Sequence, residues 1–152
     1  MRLLLFASAF ILTSCGGGRV AELERENVRL TEQLQKASNF DRQQQCAAAS
    51  RAEFEAQRWV SDASFTDHFN KKMNRCFILV MAYENRKPPA IEPGIYTHTI
   101  LSDVMEKTTY ARSVRSWNKG IVDCRLTLPN MPEKTCTTGN ELDAFVKPYM
   151  EQ

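Results

Sequence analysis

A run of polar side chains between residues 66 and 75 contains the groups best suited to chemistry. His68, Asn70 and Arg75 stand out, because polar groups of these types at the mouth of a sheet could form a binding site or supply a general base. Acid–base catalysis requires a second group beside His68. The sequence shows no nucleophile motif, phosphate loop or carboxylate pair to supply one. We therefore favour a solvated loop or helix end whose polar groups cap the backbone, with a binding site or a general base as the alternative.

The amino terminus has the pattern of an export signal. Met1-Arg2 precede an apolar run over residues 3–12, which gives the charged start and hydrophobic middle of a secretory signal. This run is too short to span a bilayer, since a spanning helix takes about 20 apolar residues. Leu12-Thr13-Ser14-Cys15 then resembles, position by position, the lipobox of the bacterial lipoproteins. The resemblance implies cleavage after Ser14 and a diacylglyceryl thioether on Cys15, usually with acylation of the new amino terminus.

Lipidation at Cys15 would determine where the protein is found, because two or more acyl chains hold a protein stably at a membrane. Gly16 follows the cysteine. In lipoproteins of two-membraned bacteria, by analogy, an aspartate at that position favours retention in the inner membrane. We therefore expect the outer membrane, with the protein facing the periplasm. A secreted protein with a chance cysteine near its cleavage site is the competing interpretation.

Four further cysteines, Cys46, Cys76, Cys124 and Cys136, predict two disulfides, because an exported chain meets an oxidising compartment. Four cysteines allow three connectivities, which the sequence alone leaves open. Among them we favour Cys124 with Cys136 and Cys46 with Cys76. Zinc binding is the competing interpretation. No Cys-x-x-Cys pair appears, however, and neither histidine has a ligand-like spacing from a cysteine. We expect neither a metal nor another cofactor.

The chain length and charge bound the class of protein. Its 152 residues suffice for one modest domain plus an extended segment. Lysine and arginine number 20 against 18 acidic residues, and cleavage would remove Arg2. A nearly neutral mature chain argues against a nucleic-acid partner.

After a glycine tether at residues 16–18, residues 19–45 contain no glycine or proline and are rich in helix formers. Apolar residues recur at the a and d positions of a heptad, with one asparagine at a, which favours paired strands. These positions are Val20, Leu23, Asn27, Leu30, Leu34 and Ala37. We predict a coiled-coil stalk and association of copies through it. A single helix that packs this seam against its own domain is the alternative.

A lipidated cysteine followed by heptads resembles, in outline, the Braun lipoprotein family, which tethers the outer membrane to the cell wall. Members of that family end in a lysine that is joined to peptidoglycan. This sequence ends Tyr149-Met150-Glu151-Gln152, so covalent attachment to the wall is not expected.

The remaining sequence predicts an α+β domain. A second helix would begin at Ser38 or Asn39 and run to about residue 60. Four antiparallel strands are predicted at residues 76–83, 95–104, 108–117 and 121–128. The first, CFILVMAY, would be the central strand. In the last, Val122 and the even-numbered residues after it would face the core. A final helix would follow the Thr138-x-x-Glu141 capping box and would end or kink at Pro148, with both helices on one face.

These patterns divide the chain into a signal peptide (1–14), a lipidated cysteine with its tether (15–18), a helical coiled-coil stalk (19–45) and a small α+β domain (46–152). Residues 68–77, the late cysteines and residues 145–150 are similar to small bacterial exported domains of unassigned function, a resemblance that implies no activity.

We expect a non-enzymatic lipoprotein that engages an unknown envelope protein or a copy of itself. The alternatives are a small periplasmic enzyme or ligand-binding protein using His68, Asn70 and Arg75. Ligand capture on a sheet face near Tyr110 and Trp117 is a further hypothesis.

Overall fold

The computed structural model describes residues 17–59, 62–89 and 92–151. The predicted signal peptide, the lipidation site at Cys15 and the first residue of the tether lie outside the described residues. The chain forms two compact units, and the division between them follows Ser38. Within the described ranges, no helix combines the length and apolar character needed to cross a membrane.

The first helix, α1 (Gly17–Ala56), is continuous. The prediction of a separate second helix starting at Ser38 or Asn39 is therefore wrong. Residues 38–45 contain no glycine or proline, so nothing in this segment interrupts the helix. The structure contains a single helix over residues 19–45, and its pairing into a coiled coil stays a prediction. The apolar heptad side chains Val20, Leu23, Leu30 and Leu34 are all exposed.

Six antiparallel strands follow and pair in the order in which they occur along the chain. They are β1 (Ala63–Asn70), β2 (Arg75–Arg86), β3 (Gly94–Asp103), β4 (Thr108–Ser116), β5 (Gly120–Leu126) and β6 (Lys134–Thr135), and α2 (Gly139–Met150) comes last. The prediction of about four strands is wrong, because it misses β1 and β6. Strand β1 has polar residues at alternate positions, which in the sequence favour a solvated loop or helix end, while β6 has only two residues.

Strand β2 explains how the two helices are placed. Its residues Cys76, Ile78 and Val80 belong to the hydrophobic cluster that includes α1, whereas Phe77 and Leu79 pack in the cluster that includes α2. Since successive side chains of a strand point to opposite faces, the helices cover opposite faces of the sheet. The prediction that both helices share one face is therefore wrong. Burial on both faces explains the apolar run from Cys76 to Val80, whereas Met81 and Tyr83 are exposed. Strand β2 lies next to the edge strand β1 and not at the centre of the sheet, against the prediction.

The outer edge of β1 is met by a side chain from α1. Gln43 accepts a hydrogen bond from the Phe69 amide at 3.3 Å and donates one to the Asp67 carboxylate at 3.4 Å. An edge strand with free amides can pair with another chain, so this side chain blocks part of the edge.

Strand β5 departs from simple alternation. The register shifts at β4, where Val114 pairs with Asp123 and Arg115 with Ile121, so Val122 has no partner across the ladder. Val122 is exposed, against the prediction that it faces the core, because a bulge reverses the side-chain alternation at that point.

Two disulfides join Cys46 to Cys76 and Cys124 to Cys136, with Cα–Cα distances of 5.3 and 5.2 Å. The prediction of two disulfides is confirmed, and the pairing is the favoured one. The first bridge links α1 to β2. The second links β5 to the segment before α2.

The capping box at the start of α2 is present as predicted. Thr138 accepts a hydrogen bond from the Glu141 amide, and the Glu141 carboxylate accepts one from the Thr138 amide. Pro148 lies inside the helix, which continues to Met150, so proline does not end it at that residue. The helix finishes two residues later, within the last turn.

Candidate functional site

Asn70, one of the predicted site residues, is fully buried and holds the end of α2 against the sheet. Its amide nitrogen donates to the Pro148 and Tyr149 carbonyl oxygens at 2.8 and 3.3 Å. Its side-chain oxygen accepts from the Met73 amide at 3.0 Å. These bonds satisfy backbone groups in the β1–β2 turn and in the last turn of α2. The role of this side chain in the described structure is therefore positional.

Arg75 makes a different set of contacts. Its Nη1 atom lies 3.2 Å from the Asp103 carboxylate, 2.5 Å from the Glu106 carboxylate and 2.7 Å from the Tyr110 hydroxyl. Asp103 also accepts hydrogen bonds from the amides of Met105 and Glu106, which organises the β3–β4 turn. Burial raises the pKa of the Tyr110 phenol, which keeps this group protonated at neutral pH. The guanidinium group thus neutralises a buried aspartate at a turn.

His68 lies on β1, where its backbone pairs with Phe77. Its Nε2 atom is buried and has no hydrogen-bond partner among the described residues. Asn70 and Arg75 are backbone partners in the β1–β2 ladder. No hydrogen bond or ion pair joins the described side chains of any two of His68, Asn70 and Arg75. In the described part of the chain, no group of three or more His, Cys, Asp or Glu side chains is placed to hold a metal ion.

A larger concavity lies elsewhere, on the face of the sheet that carries α2. We call it the open groove; it has a volume of about 650 Å³. Its walls are formed by residues from β2 to β5 and by the start of α2. They are Met81, Tyr83, Ile95, Thr97, Thr99, Ser113, Arg115, Trp117, Ile121, Gly139, Leu142 and Asp143.

The open groove exists because α2 covers only part of this face. A helix of 12 residues is about 18 Å long, whereas a 12-residue strand such as β2 extends about 40 Å. The cluster under α2 includes Phe77 and Leu101, at one end of β2 and β3. Farther along these strands, Met81 and Ile95 are 39% and 50% exposed.

Apolar and aromatic side chains dominate one wall of the open groove. Trp117 is 87% exposed, and Tyr83 is also exposed. Exposed aromatic and methionine side chains gathered at one place are typical of binding surfaces, since they bury large areas when a ligand covers them. Of the aromatic pair suggested by the sequence, Trp117 lines this groove, and Tyr110 packs in the core.

Polar groups complete the open groove. Arg115 and Asp143 are exposed, and neither side chain forms a hydrogen bond or ion pair with another described residue. The buried Ser113 lies at the groove, with Thr97 and Thr99 on the neighbouring strand. An apolar pocket of this volume with a few polar groups is the usual form of a ligand site.

The opposite face has a smaller cavity. It has a volume of about 180 Å³, lies between the end of α1 and the sheet, and is lined in part by Phe54, Trp59 and Ile78. Trp59 stacks on Phe54 with ring centroids 5.7 Å apart, and its indole nitrogen donates to the Phe54 carbonyl at 2.9 Å. The two rings pack against each other and the indole N–H is satisfied by a backbone carbonyl, so this face is mainly a packed core.

Most of the open groove was missed by sequence reasoning. Residues 81, 83 and 95 continue apolar patterns that looked like ordinary strand interiors. One sequence signal could have indicated the groove. The final helix is too short to cover the full length of the two long apolar strands. Comparison of this chain with protein-family models, with curated proteins and with solved structures finds no match to any of the three.

Proposed function

We propose that the protein is a membrane-anchored envelope lipoprotein whose folded domain binds another envelope component and catalyses no reaction. The anchor is the lipidated Cys15, and the support for it is the lipobox-like segment behind an export signal. The two disulfides support an oxidising compartment such as the periplasm. The outer membrane, with the domain facing the periplasm, is the location that fits Gly16 after the cysteine.

The observation that carries the binding role is the open groove. It exposes apolar and aromatic side chains beside a cation and an anion that are not paired within the described residues. An enzyme built on His68, Asn70 and Arg75 has weaker support, because Asn70 and Arg75 are engaged in separate structural contacts. None of the three lines the open groove or the smaller gap on the other face.

The stalk is proposed to associate as a parallel coiled coil. The exposed heptad seam, with Asn27 at an a position, favours two strands. In a parallel pair, Arg19 at position g would face Glu24 at position e of a second copy, an attractive charge pair. Anchoring every copy at the same end of the chain also favours a parallel arrangement.

Fractionation of cells tests the anchor. We expect the unaltered protein in the membrane fraction and the Cys15→Ser variant in the soluble periplasmic fraction, because the variant lacks the thiol that accepts lipid. Ser14→Ala is the matched control; it keeps a small residue before the cysteine and should stay with membranes. Mass spectrometry should find the acyl mass on the mature amino terminus. A Cys15→Ser protein that remains membrane-bound and normally processed contradicts the proposal.

Sedimentation equilibrium tests the stalk. The detergent-free Cys15→Ser chain should dimerise with rising concentration, and adding Leu30→Asp should give a monomer, because it places a charge in the seam. Val28→Asp makes a similar change at an exposed position outside the seam and should leave the dimer intact. A Cys15→Ser chain that is monomeric at every concentration removes the coiled coil from the proposal.

A further inference from the structure

Arg115, on β4, and Asp143, on α2, are the charged residues that line the open groove. Their side chains form no hydrogen bond or ion pair with each other or with another described residue, whereas Arg75 pairs with Asp103 and Glu84 with Arg86. A cation and an anion left available in one apolar concavity fit a ligand that itself carries both charges.

The spacing of these two charges sets the size of that ligand. The Arg115 Nη1 atom lies 3.8 Å from the point where a Cβ on Gly139 would be, so the guanidinium group is at the first turn of α2. Asp143 comes four residues after Gly139 and projects from the same side of the helix, about 6 Å farther along. Ligand charges separated by a few ångströms would reach both groups.

The rest of the open groove fits an apolar body with a polar backbone. Met81, Ile95 and Trp117 offer exposed apolar surface. Ser113 also lines the groove, and its side chain makes no hydrogen bond to another described residue. A hydroxyl group beside this apolar surface suits a ligand that also carries hydrogen-bonding groups, such as a peptide bond. The volume of about 650 Å³ is that of a small-molecule site.

We propose that the open groove binds a short zwitterionic peptide of apolar residues, about a dipeptide in size. Its carboxylate contacts Arg115, its ammonium group contacts Asp143, and its side chains cover Trp117. This inference rests on the proposed binding function and names the ligand class of the same site.

Calorimetric titration of the full chain carrying Cys15→Ser, without detergent, tests the inference. The probes are leucyl-leucine, N-acetyl-leucyl-leucine, which lacks the ammonium group, and leucyl-leucine amide, which lacks the carboxylate. Leucyl-leucine should bind, and each capped probe should bind at least about tenfold more weakly, since each loses one charge-assisted contact.

Variants then assign each charge. Arg115→Gln should weaken leucyl-leucine binding about tenfold and should no longer distinguish it from the amide. Asp143→Asn should weaken it similarly and should no longer distinguish it from the acetylated probe. Arg112→Gln, which removes an exposed arginine from the opposite face of β4, and Asp123→Asn are matched controls expected to bind normally.

Three results would overturn the inference. They are the absence of leucyl-leucine binding at millimolar concentration, equal affinity for charged and capped probes, and unchanged binding in both groove variants. Cell fractionation of the Cys15→Ser variant is independent of these binding measurements. A wrong ligand class can therefore be told apart from a wrong membrane anchor. Circular dichroism of each variant confirms that the domain is folded.

Discussion

The two tryptophans lie on opposite faces of one sheet and have opposite environments. Trp59 stacks on Phe54 and donates its indole hydrogen to a backbone carbonyl, within the cluster that includes α1. Trp117 is 87% exposed and lines the open groove. The same side chain thus completes a core on one face and is left uncovered on the other.

This difference follows from how much of each face a helix covers. The end of α1 packs over Cys76, Ile78 and Val80 and is joined to β2 by a disulfide. The short helix α2 covers only one end of the other face. A large exposed apolar area is unfavourable in water unless a bound ligand or partner covers it. We therefore infer that the α1 face stabilises the fold and that the open groove is the binding face.

Removal of the disulfides should have the largest effect and should differ between the faces. Cys46 and Cys76 are separated by 30 residues, and Cys124 and Cys136 by 12. Loop-closure entropy predicts a loss of about 4 kcal/mol for Cys46→Ala/Cys76→Ala and about 3 kcal/mol for Cys124→Ala/Cys136→Ala. Urea unfolding of both double variants measures the order. A smaller loss for the α1-face bridge would contradict the stabilising role given to that face.

Two apolar residues of β2 allow a comparison within one strand. Ile78 is 2% exposed under α1, whereas Met81 is 39% exposed in the open groove. Ile78→Ala should lower the free energy of unfolding by about 3 kcal/mol, because it leaves a cavity in the core. Met81→Ala should lower it by less than about 1 kcal/mol. Equal losses in denaturant unfolding would mean that the groove wall is part of the core.

The capping box beside the open groove gives a smaller, pH-dependent effect. Hydrogen bonds from the Thr137 and Thr138 amides lower the pKa of Glu141 below its ordinary value of 4.5. A lowered folded-state pKa means that the stabilisation is complete above pH 4.5 and is lost as the pH falls through the folded value. Glu141→Gln should therefore melt at a slightly lower temperature than the unaltered protein at pH 7, and this difference should shrink as the pH falls below 4.5.

Thermal melts across this pH range check the prediction for Glu141. The control is Glu55→Gln, an exposed change in α1 that should show no such trend. A Glu141→Gln deficit that stays constant down to pH 3 would show that the charge does not contribute to the cap.

The sequence predicted the elements whose signals are local. The capping box of α2, strands β3 and β4, and the two disulfides follow from turn residues, β-branched runs and an even cysteine count. Strand β1 was missed because its edge position and pairing with β2 are set by contacts far along the chain. The bulge at Val122 likewise depends on register against β4, which the alternation of one strand does not encode.

The candidate site was harder to predict than the fold. His68, Asn70 and Arg75 attract notice because of their chemistry, yet burial and hydrogen bonding give Asn70 and Arg75 structural contacts. The open groove arises from what α2 leaves uncovered, a property of the assembled sheet. Trp117 was the part of it that the sequence indicated.

The most direct test of this account is a pair of measurements on Trp117→Ala in the chain that also carries Cys15→Ser. We predict a free energy of unfolding within about 0.5 kcal/mol of the parent, because the side chain is exposed. We also predict at least about a tenfold loss of leucyl-leucine affinity, because the apolar wall of the groove is removed. A stability loss typical of a core residue, together with unchanged affinity, would contradict the division of the sheet into a stabilising face and a binding face.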